Sequence, residues 1–132
     1  MKVNIKILKE LKETIKNNES IERIDIDYII DRLATKRSWS FETMYDFLYN
    51  LKKINKAAYC SLILKETAIY LDSKYDGNIK EINQGWYISL VDGLPGFMKL
   101  EYEPKGFAIF RTLKDTMAAW YMICDDIIRL YE

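Results

Sequence analysis

Apolar positions set at helical spacing mark the first third of the chain. Ile5, Leu8, Leu11 and Ile15 recur every three or four residues, and Lys2, Lys6, Lys9, Lys12 and Lys16 lie mostly around the other side. This pattern predicts an amphipathic helix over residues 4–17, stopped by Asn17 and Asn18. The following "SIERIDIDYIIDRLA" carries two patterns at once. Ile24, Ile26 and Tyr28 alternate with Asp25 and Asp27, as in a strand, whereas Ile21, Ile24, Tyr28, Ile29 and Leu33 fit a helix. Length, the absence of a turn residue and a capping Ser20 favour the helix, and residues 21–28 stay open between the two. Ser38 or Ser40 caps a third helix, "FETMYDFLYNLKKI", with Phe41, Met44, Phe47 or Leu48, Leu51 and Ile54 as its buried stripe. Asn55 interrupts the pattern. "KAAYCSLILKETAIYL" then reads as a helix that is apolar nearly all round and therefore central in the core.

After Gly77 the period changes from about 3.6 to about 2. In "WYISLV", Trp86, Ile88 and Leu90 share one face; in "FMKLEY", Met98, Leu100 and Tyr102 alternate with Lys99 and Glu101; "FAIF" is a third short run. All five glycines and both prolines fall between Gly77 and Phe110, where "DGLPG" forms a loop and "EPKG" suits a type I turn. Residues 112–131 return to helical period, with Thr112 as cap, Asp115 three residues on, and Leu113, Met117, Trp120, Cys124, Ile127 and Tyr131 on one face. The expected fold class is α+β: a mostly helical N-terminal half (1–76), a three-stranded antiparallel meander (77–111) and a closing C-terminal helix (112–131). At 132 residues these form a single domain.

Charge and residue types narrow the chemistry. Twenty basic side chains balance twenty acidic ones, so no net field gathers nucleic acid or an anionic membrane. No apolar run approaches the ~20 residues that span a bilayer, and lysines break the apolar start, so the expected location is cytoplasmic. There is no histidine. This removes the commonest general base, the usual metal ligand and any Ser-His or Cys-His nucleophile pair. Cys60 and Cys124 alone make no ordinary zinc site; they are expected to be reduced and buried. No cofactor and no catalytic residue is indicated, and "VDGLPG" lacks the spacing of a phosphate loop. Asp125 and Asp126, adjacent on a helix, point about 100° apart, and Asp125 sits four before Arg129, as in an ordinary helix ion pair. Of the cluster Asp25, Asp27 and Asp31, Asp25 and Asp27 suit a solvated face or a helix first turn.

Two constellations remain. In "TKRSWS", Lys36 and Arg37 flank Trp39, and Lys52, Lys53 and Lys56 follow on the next helix. Cations with an aromatic can track phosphates and stack a base, which makes these six the contacts of a nucleic-acid-binding regulator. On the last helix, Ala118, Ala119, Tyr121, Met122 and Ile123 fall partly outside the main apolar face, and the chain holds ten tyrosines. Aromatics and methionine are enriched at protein interfaces. Tyr121 and Met122, with Leu94 and Phe97 at the "DGLPGF" tip, are therefore the expected partner contacts, for another protein or a second copy of the chain. The competing reading buries this helix between the sheet and the helical half.

Ile, Lys, Asn and Tyr make up 50 of the 132 residues, an excess that AT-rich codons produce. The final third, "GWYISLV…FAIFRTLKDTMAAW", resembles the strand–loop–strand–helix endings of small uncharacterised phage or mobile-element accessory proteins of low-GC bacteria. The resemblance carries no catalytic residue over. It implies an accessory role, such as binding and modulating a host or defence protein. The expected function is thus a non-enzymatic protein-interaction module, with the nucleic-acid-binding regulator as the alternative.

Overall fold

The computed structural model describes residues 5–75, 85–89, 96–99 and 108–130. Five helices dominate them: α1 (Ile5–Lys16), α2 (Ile26–Lys36), α3 (Phe41–Ile54), α4 (Lys56–Asp72) and α5 (Leu113–Leu130). Two short strands, β1 (Trp86–Ser89) and β2 (Gly96–Lys99), pair antiparallel with Trp86 opposite Lys99 and Ser89 opposite Gly96.

The α+β class with a three-stranded meander is therefore corrected to a mostly helical fold carrying a small hairpin. Among the described residues the third run contributes an isolated bridge between Trp86 and Phe110. A strand cannot continue there. Phe110 is buried in the core, the Arg111 side chain is tied to Asp72, and Thr112 opens α5 two residues later. Tertiary anchoring wins over the alternating pattern. Leu90, Leu100 and Tyr102, which the pattern placed on strands, lie outside the described residues.

Caps fix the helix starts. Asp25, not Ser20, caps α2, accepting from the Asp27 N–H, so residues 21–25 are neither strand nor helix. Ser40 caps α3 by accepting from Thr43. Asn55 ends α3 and caps α4, accepting from Ala58. Thr112 accepts from Asp115, whose own carboxylate takes the Tyr75 hydroxyl. The "TKRSWS" turn closes α2: Trp39 N–H reaches Ala34 O and Ser38 N–H reaches Thr35 O, with Ser38 at φ 56°. This is the paired hydrogen bonding of a Schellman motif, which asks for a left-handed residue where Ser38 stands.

Helix α4 is central. Tyr59, Cys60, Ile63, Leu64, Thr67, Ala68 and Leu71 are buried, and α2, α3 and α5 pack against it. Lys65 and Ile69 look outward. On α5 the second apolar stripe is core in part: Ala118, Ala119 and Ile123 are buried beside Trp120, Cys124, Ile127 and Ile128, whereas Tyr121 and Met122 are half-buried. Helix α1 packs on α5 through Leu8 and Ile15, as its spacing predicts. Arg23 donates to the carbonyls of Ile15 and Lys16 at the end of α1 and lies 4.4 Å over the Tyr121 ring. α5 bends at Ile123 (φ −118°, ψ 15°).

One acid is enclosed. Glu66 of α4 is only 2% exposed; Lys36 donates to its Oε2 at 2.6 Å, while Arg32 stands 3.8 Å from Oε1 without hydrogen bonding it. Removing the cation strands a buried charge, whereas removing the acid lets Lys36 turn into water. Lys36→Ala should destabilise the fold by about 3 kcal/mol, Glu66→Leu by less, and the double variant should recover part of the Lys36→Ala loss; urea unfolding of the three measures this. Ser38→Gly should stabilise by about 1 kcal/mol by relieving the left-handed backbone, read by the same titration.

Candidate functional site

Helix α3 buries only a narrow stripe, and this decides what its remaining surface presents. Met44 and Leu48 are fully enclosed and Phe41 and Leu51 half-buried. Phe47 and Ile54, expected in the stripe, lie outside it at 39% and 84% exposure. The reason is angular: at about 100° per residue they fall a quarter-turn or more from the Met44–Leu48 line. Two aromatic flanks result. On one, Phe41, Tyr45 and Tyr49 stack at four-residue spacing with ring centroids 6.0 and 6.4 Å apart, and Lys53 continues the row 4.2 Å over Tyr49. On the other, Trp39 meets Phe47 edge-on at 5.7 Å, with Arg37 5.6 Å over the indole.

The first flank borders a cleft of about 390 Å3 between α2, α3 and α5. Ile26, Ile30, Tyr45, Leu48, Tyr59 and Met122 give it apolar walls. Its polar wall is neutralised from within: Lys52 Nζ lies 2.7 Å from Asp126 Oδ1, and the carboxylate is mostly buried. Asp125 pairs with Lys12 of α1 at 2.7 Å, and not with Arg129 as the helix spacing suggested. That contact is the main reason the Lys12 pKa is raised. Burial first, then the neighbouring Asp126, pushes the Tyr59 phenol upward. Among the described residues no three His, Cys, Asp or Glu side chains converge to hold a metal.

The residues singled out from the sequence separate. Of the expected protein contacts, Met122 lines the cleft beside Tyr45 and Tyr49. Tyr121 carries Arg23 on its ring, and Phe97 packs edge-on against the buried Trp120 at 6.3 Å; both are half-buried. Leu94 lies outside the described residues. Of the expected nucleic-acid contacts, Lys36 is taken by Glu66 and Lys52 by Asp126. Arg37 and Trp39 stack on the second flank, away from Lys53 and Lys56, which sit where α3 meets α4. The aromatic ladder of α3 was missed as a site. Its signal, aromatics four apart followed by a lysine, was present in the sequence but is also what a core stripe looks like.

No family model, curated protein or solved structure matches the chain. No helix among the described residues is long and apolar enough to cross a membrane.

The two thiols are free and buried, as expected. Desolvation is the chief cause that pushes Cys60 up to about 12 and Cys124 up to about 11, the wrong direction for a nucleophile. Above the unfolded thiol value, unfolded chains lose these protons while the native state keeps them. Stability is thus unaffected by the thiols at neutral pH and falls as pH rises toward 11–12. The melting temperature should drop between about pH 9 and 11, less steeply in Cys60→Ala/Cys124→Ala, and thiol reagents should label the native protein slowly at pH 8.

Proposed function

We propose that the protein is a non-enzymatic, cytoplasmic interaction module that docks a larger protein partner on α3 and the adjoining cleft. The observation that carries this reading is the outward placement of Trp39, Tyr45, Phe47, Tyr49 and Ile54 around one helix. A chain with two dozen apolar residues buried in one cluster does not lack room for a core. Aromatic side chains left outside in register on a rigid helix resemble the anchors of protein interfaces, where Tyr and Trp contribute disproportionately. The groups lining the cleft favour binding over reaction: its central carboxylate is paired and its buried phenol is held protonated.

The nucleic-acid reading keeps Arg37 over Trp39 and Lys53 over Tyr49 as stacking pairs. It is weakened because Glu42 and Asp46 lie exposed on the same helix and would repel phosphates. The resemblance of the C-terminal third to phage and mobile-element accessory proteins fits a module that modulates a host or defence protein.

Affinity capture from host cells, with mass spectrometry and sequencing of co-purifying nucleic acid, tests the reading. A protein should be retained by the wild type and by Ile69→Ser, an exposed change on α4, and lost with Tyr45→Ser/Tyr49→Ser while the helical circular-dichroism signal persists. Loss of two anchors should weaken binding by roughly thirtyfold or more. Retention by the tyrosine variant, or recovery of nucleic acid in place of protein, overturns the proposal.

A further inference from the structure

The mouth of the cleft carries a different chemistry from its walls. Where α3 ends and α4 begins, a second depression of about 440 Å3 is lined by Tyr49, Lys52, Lys53, Lys56 and Arg129. Tyr49, Lys52 and Arg129 belong to both, so the two form one groove with an apolar end and a cationic end. Four cations and no carboxylate line the cationic end. Lys52 is spent on Asp126. Lys53, Lys56 and Arg129 form no ion pair among the described residues. The N-terminus of α4 opens at the same place with no acidic residue in its first turn, so its positive end is not offset by its own side chains. Uncompensated like charges gathered in one depression repel one another, and an anion brought there relieves that repulsion.

We infer that this groove takes an acidic segment of the partner protein, with one apolar side chain in the cleft and neighbouring carboxylates among Lys53, Lys56 and Arg129. The inference rests on the protein-docking reading above and gives the partner its chemistry. A nucleic acid fits the charge pattern less well. The cations occupy a single depression and do not track a backbone, and Asp27 and Asp125 stand on the walls of the adjoining cleft. Negative charge is therefore welcome at the mouth and not along the groove.

A library of random short peptides displayed on phage is the probe, selected against the full chain. Wild-type protein should select peptides that place an aromatic or aliphatic residue beside Asp or Glu. Lys53→Glu/Lys56→Glu should bind those peptides at least about tenfold more weakly, lose the acidic preference and keep its circular-dichroism spectrum; Arg129→Gln, which reverses no charge, should give a smaller loss in the same direction. Selection without acidic bias, or unchanged binding by the charge-reversed protein, overturns the inference; if Tyr45→Ser/Tyr49→Ser still abolishes that binding, the docking reading survives alone. An empty selection also overturns the inference and leaves the docking reading to the capture experiment. Binding of an oligo-dT strand that charge reversal removes assigns the groove to nucleic acid and overturns both.

Discussion

Helix α4 is buried over more than half of its circumference, and the placement of its neighbours follows from that. A helix with so wide an apolar surface cannot be covered by one partner, because a single packed helix shields only a stripe. Three helices close around it: α2, α3 and α5. The same enclosure produces the polar features of the core. Glu66 faces inward on α4 and is made tolerable by Lys36, which reaches it from the end of α2, with Arg32 standing nearby. Thr67 turns its hydroxyl back to the Ile63 carbonyl, the cheapest partner for a buried donor on a helix. Both cysteines lie in the same dry surroundings, which is why their thiols are held protonated.

What α4 asks of α3 is small, and the candidate site is a consequence. Met44 and Leu48 complete the cover, with Phe41 and Leu51 at its margin. The remaining apolar side chains of α3, Tyr45, Phe47, Tyr49 and Ile54, stay exposed, and three of the four are aromatic. Their stacking row costs little to keep in register, since four-residue spacing on a helix brings side chains face to face without backbone strain. On the docking proposal such a row would be pre-organised: ordering entropy that an interface normally loses on binding is already lost in folding. Met122, from across the cleft, supplies an apolar wall of a flexible, unbranched side chain.

The helices were legible in the sequence because their caps and periods agree. Ser40, Asn55 and Thr112 cap where the pattern says they should. Asp25 was hidden by alternation with Asp27, so the start of α2 moved by several residues. The strands were over-read. "FAIF" has the composition of a strand, but among its described residues only Phe110 pairs, with Trp86, and its side chain is drawn into the core just before α5 begins. The surface was the least legible part. On α5 the sequence offers two apolar stripes, and nothing in it reveals that α1, α4 and the hairpin pack on this helix and leave Tyr121 and Met122 half-buried. On α3 it offers one broad stripe, and nothing reveals that only its centre is needed. Which apolar residues remain outside depends on how many neighbours an element has, a tertiary quantity that periodicity does not encode.

The zero net charge conceals a division of labour among the cations. Lys12, Lys36, Lys52 and Arg111 each neutralise a carboxylate from another element, Asp125, Glu66, Asp126 and Asp72 respectively. These four stitch α1 to α5, α2 to α4, α3 to α5 and the entry of α5 to the end of α4. Composition counts them alongside Lys53, Lys56 and Arg129, which form no ion pair among the described residues. A charge consumed internally contributes almost nothing to the field beyond the surface, because its partner cancels it within a few ångströms. The field an approaching molecule meets is set by the unpaired charges, and three of the unpaired cations among the described residues, Lys53, Lys56 and Arg129, line one end of the cleft that the aromatic ladder borders. Lys52 belongs to both sets: its ammonium is spent on Asp126, and its stem forms the wall shared by the apolar and cationic ends. The ion pair that holds α3 against α5 thereby also keeps the two ends of the groove joined.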